Sequence, residues 1–353
     1  MEKNHSEKLV LCTGSIINRN SYAQLCRYFP MLDPKVITSD LNVFTRSICK
    51  LYDLWNGIPT RNKSITYHEF RVELMLRLPH EPSVVHVLFG DDHCGFLSRI
   101  KDRPRNGLRL VFTVHQPFQN WRAENVQTLA ALDGLITLCE SDRKLFAEQL
   151  PGLPVVSIAH GVDVDYWKVR PLPQAPKKRI GYCGKHLRNI EMFMRVAKRA
   201  LKERDDVEFY CLIPPGGMSA EWEAFCQQPN VRILNNLSQD QVLDFYQNLY
   251  LLMMPLNDTT ANNVIVESLS CGVPVLTTNV GGIATYGAGE VFPMVENNDD
   301  EALYKELARL LDHPDQCQAM GVACRDFAEK QLAWPKIAAM HEQFYYEGCA
   351  GKH

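Results

Sequence analysis

The stretch Asn257-Asp258-Thr259-Thr260-Ala261-Asn262-Asn263-Val264-Ile265-Val266-Glu267-Ser268-Leu269-Ser270-Cys271-Gly272-Val273-Pro274-Val275-Leu276 divides physically into a loop, a helix and a strand. Asn262 is a favoured helix N-cap type, Val264, Ile265 and Leu269 supply an apolar face, and Gly272 with Pro274 ends the helix before a β-branched strand. Backbone N–H groups at the Asn262 end make an anion site that could receive a diphosphate without any side-chain cation. Glu267 follows Asn263 by four residues, so it lies on the same helical face, just over one turn deeper. A carboxylate there can accept two hydroxyl hydrogens, which suits the vicinal hydroxyls of a ribose. The same pattern is also met by plain capping at Asn262 and Asn263 and by an ordinary surface acid at Glu267.

Outward from this stretch, short β-rich runs alternate with helical patterns. Strands are predicted at Lys8–Gly14, Ser83–Phe89, Arg109–His115, Gly134–Leu138 and Val155–Ala159, then at Arg179–Gly184, Val207–Ile213, Val231–Leu234, Tyr250–Pro255, Pro274–Thr278 and Val291–Met294. Such alternation is the mark of right-handed βαβ units and parallel sheets. Three prolines in Arg170–Pro176 interrupt it and read as a linker. The expected fold class is α/β, with two doubly wound Rossmann-like domains facing an interdomain cleft. The expected boundaries are residues 1–169, 170–334, and a closing helix over 335–353 that packs back on the first domain. Ligands of such sheets bind beyond the carboxyl ends of the strands.

Composition narrows the function classes. At 353 residues two domains are the prior, and a net charge of -3 gives no general attraction for nucleic acid. Lys177-Lys178-Arg179 reads as a short solvated linker. No run of about 20 apolar residues is present. The 12 cysteines are scattered without C-x-x-C or zinc-like Cys/His spacing, so no metal site is expected and a reducing cytoplasm suits them. The opening MEKNHSEK is charged and lacks a secretory pattern.

The run Asn257–Gly282, closing with Thr277-Thr278-Asn279-Val280-Gly281-Gly282, resembles the donor-binding block of the retaining glycosyltransferases of family 4, which have the GT-B fold. That family shows two glutamates eight positions apart, then Cys-Gly-x-Pro-Val and a Gly-Gly after the next strand. The resemblance implies that Glu267 binds the nucleotide ribose. The first glutamate would fall at Thr259, a departure that bears on which sugar is bound. Asn262, Asn263 and Val264 join Thr259 and Glu267 as donor-binding candidates. Gly181-Tyr182-Cys183-Gly184-Lys185-His186-Leu187-Arg188 resembles the family's strand followed by Gly-Arg and a later Lys, which implies that Lys185 and Arg188 neutralise the leaving diphosphate. His115, after the strand Arg109–His115, matches a family histidine that contacts the donor sugar. Gly14 and Ser15 match a glycine-containing loop near donor or acceptor. Asp133–Arg143 and Ala159–Trp167 match segments read as architectural, so Asp163-Val164-Asp165 is not read as a metal motif.

The resemblance implies transfer of a sugar from a nucleotide-diphosphate donor, as co-substrate, to a carbohydrate, lipid-linked or small-molecule acceptor hydroxyl, with retention at the anomeric carbon and without metal or other cofactor. The expected location is cytoplasmic, and a lipid-linked acceptor would add peripheral contact with the inner face of the membrane. Two rivals stay open: another GT-B nucleotide-sugar enzyme such as an epimerase or donor hydrolase, and a non-catalytic nucleotide-sugar-binding protein, which the Thr259 departure and altered cation spacing would suit.

Overall fold

Two separate parallel sheets of six strands each organise the computed structural model, which describes residues 8–13, 21–29, 34–38, 41–59, 61–78, 83–171 and 176–349. The first sheet runs in the order β2-β1-β3-β4-β5-β6, with β1 Lys8–Cys12, β2 Lys35–Ile37, β3 Ser83–Val87, β4 Leu108–Val114, β5 Gly134–Thr137 and β6 Val155–Ser157. Every pairing in it is parallel. The three strands β3, β4 and β5 are almost wholly buried, as expected where helices cover both faces of a sheet. Helices α1 (Val43–Trp55), α2 (Lys63–Arg77), α3 (Cys94–Ile100), α4 (Ala123–Thr128) and α5 (Glu140–Gln149) connect these strands.

The second sheet runs β12-β11-β10-β7-β8-β9, with β7 Lys178–Cys183, β8 Val207–Leu212, β9 Val231–Leu234, β10 Leu251–Met254, β11 Val275–Thr278 and β12 Met294–Val295. Helices α6 (Ile190–Glu203), α7 (Ala220–Phe225), α8 (Gln239–Gln247), α9 (Asn263–Ser270), α10 (Asp300–Asp312) and α11 (Pro314–Phe327) accompany it. Strand order reverses between β7 and β10, so the loops leaving these two strands flank a topological switch point, the usual ligand site of an open α/β sheet. A core of Tyr182, Phe193, Phe209, Trp222, Leu251 and Leu307, among others, fills one face of this sheet.

The chain divides into two compact units, Met1–Ala159 with Trp334–His353, and His160–Ala333. Within the first unit the returning helix α12 (Trp334–Gln343) and the turn after it are held by buried polar contacts. Tyr22 Oη and His341 Nε2 lie 2.7 Å apart, His86 Nδ1 and Tyr345 Oη 2.6 Å, and Arg109 donates to the Tyr345 carbonyl at 2.6 Å. In the second unit, Trp167 is fully buried and its carbonyl accepts from Ser270 and Arg325, which ties this segment to α9 and α11 beyond the prolines.

Three local readings are corrected. Lys178 is not part of a solvated linker: it opens β7 one residue ahead of the strand predicted from Arg179, and the two residues pair with Asp206 and Glu208 at 2.9 Å each. The strand expected over Val291–Met294 is confined to Met294–Val295, because Gly289, at φ +81°, turns the chain and its amide donates to the Phe292 carbonyl. The short strand β2, in a region of mixed pattern, was not predicted; three residues carry too little alternation to register. Among the described residues no helix is long and apolar enough to cross a membrane.

The buried contacts of α12 generate a test. Tyr345→Phe leaves His86 Nδ1 buried without this partner, so the variant should lose ~1–3 kcal/mol of stability. Denaturant unfolding of the variant beside wild type measures it, and an unchanged midpoint would contradict the role given to the pair.

Candidate active site

The loops leaving β7 and β10 are stitched together by their backbones. The Asn189 amide donates to the Pro255 carbonyl at 3.0 Å, and the Asn257 amide to the Leu187 carbonyl at 2.9 Å. Gly184, at φ +91°, lets the chain turn sharply out of β7, and a side chain there would meet the Arg188 guanidinium at about 3.1 Å. Arg188 folds back over this glycine: its Nε donates to the Cys183 carbonyl at 3.0 Å and Nη1 to the His186 carbonyl at 2.9 Å. Its Nη2 reaches Asn262 Oδ1 at 3.4 Å, so one predicted cation is drawn to the start of α9. Burial pulls the Arg188 guanidinium down from its ordinary value, against the neighbouring Cys183 and Tyr182.

Asn262 occupies the N-cap position of α9, but its side chain makes no capping bond to the helix amides. Its oxygen faces Arg188 instead, which corrects the capping role read from residue type. The amides of Asn263 and Val264 open the helix, while those of Ile265 and Val266 both donate to the Asn262 carbonyl. Thr259 is buried; its hydroxyl donates to the Ala261 carbonyl at 3.4 Å, which keeps it within its own turn. The paired glycines after β11 press against that turn. Gly281 sits at φ +51°, a Cβ there would lie 2.3 Å from both Asp258 Oδ1 and the Thr259 carbonyl, and the Gly282 amide donates to that carbonyl at 2.6 Å.

Lys185 lies apart from this group. It is exposed, and its ammonium donates to the Gly216 carbonyl at 3.3 Å. Of the two predicted cations the structure therefore brings only Arg188 to the α9 end.

Glu267 is the unusual member. It is 4% exposed, Tyr246 donates to its Oε2 at 2.9 Å, and its Oε1 is buried with no hydrogen-bond partner. Burial raises the Glu267 carboxyl to about 8, with the Tyr246 bond opposing the rise. The surface-acid reading is thereby excluded. Burial likewise pushes the neighbouring Cys183 thiol up to about 12, with Arg188 working against it and Glu267 adding to it. Other buried acceptors among the described residues also lack a partner, Asp133 Oδ1 and Gln24 Oε1 among them; Glu267 Oε1 is set apart by its place about one turn inside the α9 N-terminus that Arg188 approaches. Tyr246 was not anticipated: it sits on α8, and no local pattern marks it as Glu267's partner.

In the first unit His115 follows β4 directly. Its amide donates to both Asp91 oxygens at 3.0 and 3.1 Å, and its Nε2–H donates to the Leu88 carbonyl at 2.7 Å. The ring stacks on Phe89 with centroids 4.6 Å apart and meets Tyr22 edge-on. Burial lowers its basicity, with Asp91 opposing, so the imidazole is neutral at ordinary pH. Asp91, which fixes this turn, was missed by the sequence reading. Gly14 and Ser15 lie outside the described residues.

The sequence profile of a family described as Glycosyl transferases group 1 matches residues 177–313, the part that carries Lys185, Arg188 and the whole of α9. Over 126 residues the chain is 29% identical to the capsular polysaccharide biosynthesis glycosyltransferase CapM of Staphylococcus aureus, covering 34% of this chain and 33% of CapM. The chain thus spans about a third of the length of that relative. It is 26% identical over 289 residues to D-inositol 3-phosphate glycosyltransferase 1 of Catenulispora acidiphila, covering 70% of this chain and 68% of the relative. The structure of Anabaena HepE in complex with UDP superposes with a TM-score of 0.70 at 13% identity, over 96% of this chain and 99% of that one. At that identity the likeness establishes the fold, which is GT-B with two Rossmann-like domains.

The raised Glu267 carboxyl fixes a sign. Below about 4.5 the group is protonated folded and unfolded alike; above it the unfolded chain ionises while the folded chain holds its proton to about 8. Stability without ligand should therefore fall through that window and level off above it. Glu267→Gln should match wild type near pH 4.5 and melt several degrees higher at pH 8.5, measured by thermal unfolding across pH. Parallel profiles for the two proteins would contradict the burial account.

Proposed function

We propose that this chain is a glycosyltransferase whose second unit binds a nucleoside-diphosphate sugar. The observation that carries the reading is the orphaned Glu267 Oε1, about one turn inside the α9 N-terminus that Arg188 approaches. A ribose hydroxyl supplies the missing donor to Oε1, and the diphosphate takes the helix amides and the Arg188 guanidinium. The match of residues 177–313 to group 1 glycosyl transferases supports the same assignment. UDP is the first nucleotide to test, because HepE is a structural neighbour solved with UDP and with UDP-glucose.

The proposed reaction proceeds with retention. The glycosidic C–O bond to the diphosphate breaks, the acceptor hydroxyl attacks from the face the diphosphate leaves, and a departing phosphate oxygen takes the acceptor's proton. Negative charge on the leaving group grows along this path, so Arg188 and the α9 amides contribute most in the transition state. Lys185, on an exposed and extendable side chain, joins them once a diphosphate is present. His115, held neutral with its Nε2–H on a backbone carbonyl, is a hydrogen-bonding group and not a cation. Thr259 takes the place of a charged sugar contact, and Asn262 and Asn263 supply polar groups beside it. The acceptor is a carbohydrate, lipid-linked or other hydroxyl compound.

A thermal-shift panel of UDP, GDP and ADP with wild type, Glu267→Ala and Arg188→Ala tests the donor site. One nucleotide should stabilise wild type and both variants much less, with Arg188→Ala also lowering turnover at saturating donor. Lack of stabilisation by all three, or equal stabilisation of wild type and Glu267→Ala, would sink the assignment.

A further inference from the structure

Helix α1 (Val43–Trp55) is built inside out. The side chains it turns toward its own unit are small or polar: Cys49 and Asp53 are its buried residues, and Tyr52 donates to Glu73 of α2 at 2.6 Å. Asp53 accepts from Lys63 at 2.6 Å and from Thr66 at 2.9 Å, both on α2. The opposite side carries Val43, Phe44, Leu51, Leu54 and Trp55, exposed by 83, 72, 66, 77 and 89%. At about 100° per residue, these five fall within an arc of roughly 120°. Scattered exposed apolar residues need no explanation, but five large ones on one helical arc mark a surface that something apolar covers.

The charges bordering the arc indicate what that is. Arg46 and Lys50 are exposed along its edge and pair with no acid among the described residues. The helix's one acid, Asp53, faces inward and is neutralised by Lys63. On a chain of net charge -3 this is a basic edge along one side of an apolar stripe, a pattern that suits a helix lying in an anionic lipid interface. A helix of 13 residues is about 20 Å long, too short to span a bilayer but long enough to lie along one. Leu74 of α2 and Leu78, the residue after it, are also exposed, while Arg77 between them is paired with Glu73 at 2.6 Å.

We propose that α1 docks this protein on membranes bearing anionic lipid, with Phe44, Leu51 and Trp55 seated at the headgroup boundary and Arg46 and Lys50 on lipid phosphates. The surface belongs to the first unit and does not depend on the donor reading, which concerns the second.

Sedimentation of the full chain with phosphatidylcholine vesicles, with and without phosphatidylglycerol, tests this directly. Wild type should partition onto the phosphatidylglycerol vesicles and be released by salt. Phe44→Ser/Trp55→Ser and Arg46→Glu/Lys50→Glu should each weaken binding by about tenfold or more, while keeping the wild-type melting temperature and nucleotide response. Brominated acyl chains should quench a component of wild-type tryptophan emission that Trp55→Phe removes, a reading that needs no disruptive variant. Failure of wild type to bind, equal binding by the variants, or absence of Trp55 quenching would overturn the proposal. So would self-association without vesicles that Phe44→Ser/Trp55→Ser abolishes, since the face would then belong to a second copy.

Discussion

A carboxyl group buried with half of its acceptor capacity unmet is the constraint around which the second unit is arranged. Glu267 is fixed by the helix that presents it and by one bond from Tyr246, yet Oε1 is left without a donor. In the first unit a buried acid, Glu69, has donors on both of its oxygens. There Glu69 is almost fully buried, but bonds from His93 and Arg61 outweigh its desolvation and hold it near 2. Burial unopposed by such partners puts Glu267 near 8. The two acids differ in partners: both oxygens of Glu69 accept hydrogen bonds, and Glu267 Oε1 accepts none.

The surroundings of Glu267 follow from topology. Reversal of strand order between β7 and β10 opens space beyond their carboxyl ends, and the backbone bonds between residues 187–189 and 255–257 fix the two loops there. Gly184 admits the Arg188 guanidinium, and Gly281 admits the turn at Asp258-Thr259. These glycines are demanded by close approach, which is why a glycine pattern in the sequence can carry information about a site.

Much of this was legible because period and punctuation are local. The alternation of strands and helices, the helix ending at Gly272 and Pro274, and the four-residue step from Asn263 to Glu267 all depend on residues near one another in the chain. What was not legible is long-range. Tyr246 reaches Glu267 from 21 positions away, Arg188 diverts Asn262 from capping across 74, and Asp91 fixes the His115 turn across 24. Lys185 and Arg188 looked like an equivalent pair, but the positive-φ turn at Gly184 and Leu187 folds one inward and leaves the other exposed. The apolar arc of α1 was hidden for another reason: a helical period shows that a helix has two faces but not which of them meets the core.

The most direct test of a ribose diol on Glu267 is the proton balance of nucleotide binding. A hydroxyl pair that donates to the carboxylate favours its ionised form, so binding must expel the proton that burial retains up to about 8. UDP affinity measured by calorimetry should rise from about pH 6 to about pH 8, by at most ~tenfold per unit, and level off above. Proton release near pH 7 should be seen in buffers of different ionisation enthalpy, and Glu267→Gln should keep only the part due to the phosphate's own titration. Coincident pH profiles for wild type and Glu267→Gln would contradict the account.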